Sequence, residues 1–352
     1  MNNSLQATVF SRLASGDCIN GQALAGALSV SRAAIWKAVQ SLRDAGLPVT
    51  AIRGHGYQLT GMLPPPPLNE TTLRAHLPEN VSLQLHFSTG STNDDARALT
   101  GDGFVLAEQQ TRGRGRMGRQ WMSVPGCSIT LSGHWRLTGS LADLAGLNLA
   151  LAVACVQTAA AFGWHLGLKW PNDLVTRDTN GQLLKVGGIL VEINGEMEGP
   201  CQVIAGIGLN WQLPDQCQRA IGQPVANLVD LPPLSGATKP VAPTRTAFTG
   251  TLLATLDQAV RHWNHDNHES QQRYRRQVLE TWRQHDTLCG QPVTILSPGA
   301  PSRPPQQGIY RGVDTQGALI LEINGQKQAI HSGEVSVRPS KAFIEQPCRK
   351  TR

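Results

Sequence analysis

No two cysteines in this sequence form a C-x-x-C pair. The seven present (Cys18, Cys127, Cys155, Cys201, Cys217, Cys289 and Cys348) are scattered along the chain. An odd, unpatterned set points to reduced thiols in a cytoplasmic protein. The N-terminus lacks a basic segment followed by an apolar core, so no signal peptide is expected. No apolar run approaches the length of a membrane span. The longest, around 144–162, is Ala-rich and holds Asn148 and Gln157, which suits a buried helix better than a lipid-facing one. No membrane partner is therefore expected. Metal-ligand clusters are also scarce. His262, His265 and His268 are spaced by threes, which drift around a helix, and no second cluster accompanies them. A solvated helix face is the expected reading there, with no metal site.

What the chain does have is enough apolar residue for real cores, 40% of 352, and a length that suggests two or three domains. A net charge of +6 and a pI near 9.1 permit an anionic partner without proving one.

The stretch 103–121 organises the rest. Phe104-Val105-Leu106-Ala107 reads as a short buried strand. Arg112, Arg114, Arg116 and Arg119 follow, interleaved with Gly113, Gly115 and Gly118. Like charges repel and glycine costs entropy, so such a loop is best explained by an anion that orders it. Three readings compete. Residues 113–118 match G-x-G-x-x-G, but that fingerprint needs a helix starting inside the glycines, and 119–126 read as strand then turn. A solvated RNA-binding Arg-Gly segment would be longer and would not sit between apolar segments. A loop that closes over a small anionic ligand fits best.

Residues 5–60 read as two short helices and a longer one, then a hairpin. Leu5, Val9 and Leu13 share one helix face; 21–28 form a second helix; Ser31 caps a third that Gly46 stops. Ile35, Val39 and Leu42 should face the core. Ser31, Arg32, Trp36, Lys37 and Gln40 are left outside, and His55 sits at the tip of a strand–turn–strand wing. This reads as a winged helix-turn-helix with these residues as its candidate DNA contacts, the alternative being a three-helix packing module with a solvated basic face. Pro64 to Pro67 read as a semi-rigid spacer. Residues 83–87 read as a strand, followed by a polar turn at 88–95 and a capped helix. Further strands are expected at 128–132, 184–192 and 203–210, with a turn at 193–196 and loops at 215–245. From about 290, short strands suggest a small five-stranded barrel, and the tail beyond 340 reads as disordered.

Five motifs in order carry a resemblance: Ser91-Thr92-Asn93; Gln110 with the arginine loop and Trp121; Lys169-Trp170-Pro171-Asn172-Asp173; Lys185 with Gly188 to Glu192; and Gly206 to Asn210. Together they closely resemble the biotin–protein ligases. The N-terminal Ser31-Arg32-Ala33-Ala34-Ile35-x-Lys37 and the Gly54-His55-Gly56-Tyr57 wing resemble the bifunctional BirA-type group, in which the ligase is also the biotin operon repressor. The resemblance covers about 5–338. It implies an α+β chain with a winged helix-turn-helix at 1–63 and a linker at 64–67. A mixed α/β, class II synthetase-like ligase domain would follow at 68–289, then an SH3-like barrel at 290–339.

It also implies the chemistry. Biotin's carboxylate attacks the α-phosphorus of MgATP, giving biotinyl-5′-AMP and pyrophosphate. A lysine on the biotin carboxyl carrier domain of acetyl-CoA carboxylase then takes the biotinyl group. Lys185, Arg114, Arg116 and Asp173 would be catalytic. Biotin would meet Ser91, Thr92, Asn93, Gln110, Arg114, Gly115, Arg116, Trp121, Lys185, Gly188 and Gly206. ATP would meet Arg119, Asn172 and Asn210. Substrates are biotin and ATP with Mg2+; the other partners are operator DNA and a homodimer promoted by biotinyl-5′-AMP. Met117 interrupts the basic run, and the hairpin between Asp173 and Lys185 is longer than the family pattern suggests. The alternatives are a lipoate–protein ligase and a ligand-sensing repressor without ligase activity.

Overall fold

Asn20 and Ser31 begin the helices of the N-terminal module by accepting backbone N–H bonds, Ser31 Oγ from Ala34 N at 3.1 Å. In this computed structural model, which describes residues 2–138, 140–195, 199–234, 242–297, 304–331 and 335–340, the module holds α1 (Asn2–Ala14), α2 (Gly21–Ala27) and α3 (Arg32–Asp44). Ile35, Ala38, Val39 and Leu42 bury one face of α3, as their spacing predicts. The wing is β1 (Val49–Ile52) paired antiparallel with β2 (Gly56–Leu59).

The central domain follows as α4 (Glu70–Arg74), β3 (Ser82–Thr89), α5 (Thr92–Arg97), β4 (Gly103–Gln110), β5 (Ser128–Leu137), α6 (Leu147–Ala161), β6 (Gly167–Lys169), β7 (Asp173–Arg177), β8 (Leu183–Gly195), β9 (Cys201–Asn210), α7 (Asp215–Ala220), α8 (Arg245–Trp263) and α9 (His268–His285). Its sheet runs β3-β4-β5-β9-β8-β7-β6. Only the β3–β4 pair is parallel, with α5 making the crossover. Strand β5 shows how sequence sets the layers. Ile129, Leu131 and Trp135 join the large core with α6 and α8, while the alternate residues Ser132 and His134 point to the other face. Trp135 packs edge-on against Phe104 and donates to Asp257 Oδ1 at 3.2 Å. Hydroxyls buried on the far face of a strand have to find partners, and there they meet α5 and the site.

The C-terminal unit is an antiparallel sheet of β10 (Pro292–Leu296), β11 (Gln306–Val313), β12 (Leu319–Ile323), β13 (Gln326–Ile330) and β14 (Ser336–Pro339), in the order β13-β12-β11-β10-β14. Asp286 ties it to α9 by accepting from Tyr310 Oη at 2.6 Å and Trp282 Nε1 at 3.1 Å.

Several expectations need correction. The proline segment is not a bare spacer. Glu108, buried in β4, accepts from Leu68 N at 2.7 Å and pairs with buried Arg245, which also donates to Pro66 O. Val9, Phe10 and Leu13 of the module share one apolar cluster with Phe87, Val124, Cys127, Leu213 and Cys217 of the central domain. Residues 121–124 form no strand, and Gln120 makes only an isolated bridge to Arg114. The polar turn at 88–95 is shorter than expected, because α5 already starts at Thr92. Strand β8 runs through Gly195, so Ile193 to Gly195 are strand where a turn was foreseen, and Glu196 lies outside the described residues. Helix α7 interrupts the loops of 215–245, of which 235–241 also lie outside the described residues, as does the tail 341–352. His262 ends α8, His265 lies between helices and His268 opens α9, so they share no single helix face. The stretch Leu141–Ala161 is long and apolar enough to cross a membrane by length and composition, yet Gly146 interrupts it with φ 85° and most of it is buried.

Candidate functional site

Backbone glycines floor the site. A side chain on Gly206 would overlap Asn93 Oδ1, and one on Gly208 would fall 2.6 Å from Trp121 Cζ2. Both lie on β9, whose neighbours are β5 and β8. The sheet thus passes close beneath Asn93 and Trp121, which a side chain at either glycine would prevent.

One wall is polar and fully networked. Thr92 donates through N and Oγ1 to Gln110 Oε1 at 2.8 and 3.1 Å. Ser132 Oγ lies 2.7 Å from Thr92 Oγ1 and 2.6 Å from Asn93 Oδ1, and Asn93 Nδ2 donates to Glu192 at 3.1 Å. Ser123 Oγ accepts from Gln110 N at 2.7 Å. Ser91 is buried at the start of α5, but its side chain makes no capping bond. Helix capping therefore does not account for the buried Ser91 hydroxyl, which lines the cavity.

The opposite wall holds the charge. Lys185 Nζ sits 2.7 Å from Asp173 Oδ1, and Lys169 Nζ sits 3.4 Å from Asp173 Oδ2. Asp173 faces Gly188 across the β7–β8 ladder, which brings Lys185 to its carboxylate despite the long hairpin. Burial works against the Asp173 charge, but Lys185 and Lys169 prevail and hold its carboxyl below the usual range. Burial pulls Lys169 down from its ordinary value, with Asp173 opposing. The Trp121 ring closes this corner, with Lys185 Nζ 5.7 Å from its centroid. Its Nε1–H is buried and has no partner among the described residues.

The arginine loop folds over the top as a small hairpin. Trp121 N donates to Gly113 O at 2.9 Å and Gly115 N to Arg119 O at 2.7 Å. Residues Arg116–Gly118 make one 3-10 turn, with Met117 at φ 56°, so no helix begins inside the glycines and the dinucleotide reading fails. Arg116 Nη1 donates to Asn172 Oδ1 at 3.1 Å, and Asn172 Nδ2 donates to Ile189 O at 2.6 Å. Arg114 lines the cavity, but its guanidinium forks onto Asp94.

Every expected biotin-site residue therefore borders one cavity: Ser91, Thr92, Asn93, Gln110, Arg114, Gly115, Arg116, Trp121, Lys185, Gly188 and Gly206, with Asn172 and Asp173 beside them. Arg119 borders both this cavity and a second, wider hollow; Asn210 borders only the second. Asn210 Nδ2 donates to Lys185 O at 3.1 Å and Ala226 O at 3.3 Å, which fixes the strand that carries Lys185. Ser123, Ser132, Lys169 and Arg338 were not among the expected site residues. Ser132 had a signal, a polar position in an alternating strand. Arg338 had none, because only the C-terminal sheet's packing brings β14 to the second hollow. The far rim of that hollow is Ser41, Asp44 and Gly46 of the N-terminal module.

On the module, Arg32, Trp36, Lys37 and His55 are exposed and Gln40 is half-buried; Trp36 is 51% exposed. Ser31 Oγ is engaged in capping. Arg53, at the turn of the wing, is also exposed and was not among the expected contacts.

Comparison with known proteins follows this division. Residues 6–58 match an HTH domain, 88–210 the biotin/lipoate A/B protein ligase family, and 288–338 the biotin protein ligase C-terminal domain. The chain is 31% identical over 339 residues to the bifunctional ligase/repressor BirA of Salmonella typhimurium, spanning 94% of this chain and 97% of that one. It is 30% identical to that of Escherichia coli, spanning 96% and 98%. The biotin–[acetyl-CoA-carboxylase] ligase of Mycobacterium tuberculosis is 33% identical over 77% of this chain and 96% of its own. Among solved structures, the biotin protein ligase of Aquifex aeolicus in complex with biotin and ATP shares the fold, with a TM-score of 0.55 at 20% identity over 74% of this chain and 100% of that one.

Proposed function

Because the chain belongs to the bifunctional biotin–protein ligase/repressor family, we propose that residues 91–210 make and hold biotinyl-5′-AMP and that residues 1–63 carry its signal to operator DNA. The protein is an ATP-dependent biotin–protein ligase and a biotin-responsive transcriptional repressor, with biotin and ATP as its substrates.

One observation carries the assignment of roles. Lys185 and Lys169 flank Asp173 under the arginine loop, beside Trp121 and above a glycine floor. Adenylation brings a carboxylate against a triphosphate, so fixed positive charge has to be waiting where the negative charge accumulates. Lys185 takes the biotin carboxylate and the α-phosphate as the carboxylate oxygen attacks and pyrophosphate leaves. Asp173 fixes the Lys185 ammonium group, 2.7 Å away. Arg116, set by Asn172, covers the adenylate. Ser91, Thr92, Asn93 and Gln110 meet the polar head of biotin, and Trp121 its apolar part. Arg119 and Asn210 border the hollow that suits the nucleotide. The acceptor's lysine then attacks the acyl carbon and AMP leaves. Among the described residues no group of three or more His, Cys, Asp or Glu side chains could hold a metal. Magnesium enters with the nucleotide as MgATP, bound through the phosphate oxygens, with Asn172 and Asp173 beside it.

The acceptor in this reading is the biotin carboxyl carrier domain of acetyl-CoA carboxylase, and the setting is the cytoplasm. A pseudo-palindromic operator needs two modules, and the loop ordered over the adenylate offers a surface on which a second subunit can pack. Arg32, Trp36, Lys37, Gln40, His55 and the hydroxyl of Ser31 would form the DNA face. Incubation with MgATP, the carrier domain and either biotin or lipoate tests the activity by mass spectrometry. Biotin should add one biotinyl group; labelling by lipoate alone, or no labelling, overturns it. Sedimentation with and without biotinyl-5′-AMP tests the dimer, and an unchanged monomer–dimer constant would overturn that part.

A further inference from the structure

We propose that Asp94 is a positioning residue that clasps the arginine loop shut over the bound adenylate. Asp94 lies on α5 one residue beyond Asn93, and it does not border the ligand cavity. Its carboxylate receives the Arg114 guanidinium as a fork, Nη2 to Oδ1 at 2.7 Å and Nη1 to Oδ2 at 3.3 Å. Arg97 braces the same carboxylate, Nη1 to Oδ1 at 3.1 Å, and reaches Glu192 Oε2 on β8 at 2.8 Å. Glu192 Oε1 lies 3.7 Å from Arg114 Nη2, and Glu192 Oε2 accepts from Asn93 Nδ2 at 3.1 Å. Two arginines and two carboxylates thus join the loop to α5 and β8.

The loop needs such an anchor. Its tip carries Met117, Gly118 and Arg119, all exposed, and no apolar side chain of residues 112–119 is buried. A single surface ion pair holds little, but a forked pair within a network restrains geometry as well as charge. Asp94 and Arg114 are more than a third exposed, so the clasp should weaken as salt rises. The adenylate leaves only when this loop lifts, so clasp strength should govern how long it stays. The Lys185–Asp173 pair that serves the chemical step lies outside the clasp; Arg114, expected among the catalytic groups, is the residue the clasp holds in place. This inference rests on the ligase reading above.

The experiment measures release of radiolabelled biotinyl-5′-AMP from the full-length protein after a chase with excess unlabelled adenylate, at low and high salt. For the wild type, release should quicken with salt. Asp94→Asn should release about two- to fivefold faster at low salt and lose most of the salt dependence. Its KM for biotin should rise while kcat at saturation stays within about twofold. Asp94→Glu should restore most of the retention. Asp94→Asn with wild-type release and the same salt slope overturns the clasp. A wild-type chain that forms no adenylate would instead overturn the ligase reading. Limited proteolysis at 112–119 of the ligand-free chain then still tests the clasp: Asp94→Asn should be cut faster at low salt, and equal cutting overturns it.

Discussion

Replacing Gly208 with alanine would place a methyl group against the Trp121 indole. On the present backbone that carbon would lie 2.6 Å from Cζ2 and 2.7 Å from Nε1, with Cε2 closer still. Non-bonded carbons settle at about 3.5–4.0 Å, so the ring must retreat by about 1 Å or more. Gly208 lies within β9 and has no left-handed φ, so alanine itself strains nothing in the strand. Trp121 cannot retreat alone. Its backbone N–H donates to Gly113 O at 2.9 Å, and a shift of the ring carries into the arginine loop. Overpacking of this kind costs about 1–3 kcal/mol. Because Trp121 sits on a loop, most of the penalty should fall on the ligand-bound state rather than on the fold. At about 1.4 kcal/mol per tenfold, biotin binding should weaken about 5- to 150-fold. Isothermal titration with biotin reads this, alongside a thermal melt that should move little. If the clash is the cause, Trp121→Ala should remove most of the further penalty of Gly208→Ala in the double variant. A folded Gly208→Ala protein that binds biotin within twofold of wild type would refute the reasoning.

Lys185→Ala should lower adenylate formation about a hundredfold or more with the fold intact, read as carrier labelling by mass spectrometry; wild-type labelling would refute it. Glu108→Ala leaves the Arg245 charge buried, with Leu68 N and Gly126 N deprived of their acceptor. It should destabilise the chain by about 3–5 kcal/mol in a denaturant titration, and a loss under about 1 kcal/mol would refute that role. Limited proteolysis should cut within 112–119 without ligand and be suppressed by biotinyl-5′-AMP; equal protection in both states would refute ligand-induced ordering.

The contacts of the DNA-binding module bear on how the two activities meet. Phe10 packs against Phe87 at 5.7 Å between ring centroids, and a side chain on Gly46 would press on Cys217 Sγ. Phe87 is on β3, one residue from the polar turn that leads to Ser91, and Val124 follows Ser123, which holds Gln110. Module and site are therefore a few packed residues apart, not divided by a bare proline spacer.

Much of this protein was fixed locally and could be read locally. Ser31 caps α3, Ile35, Val39 and Leu42 bury it, and Gly46 ends it, because capping and period act within a few residues. The glycines at 206 and 208 and the arginine loop announced a close-fitting anion site through chemistry that no ordinary strand or turn requires. Short motifs also survive as text, so their order along the chain pointed to the family before any contact was known. What the tertiary structure decided are the long-range pairings. The β7–β8 ladder brings Lys185 onto Asp173, which no spacing along the chain specified, whereas Lys169 reaches Asp173 from only four residues away. Packing alone brings Ser132 onto Thr92 and Asn93, Arg338 to the second hollow, and Asp94 to Arg114. It likewise turned the proline segment from a spacer into a strap held by Glu108 and Arg245. A residue's type limits what it can bind, but its partner depends on how distant strands pair, and that is set by burial of the whole core.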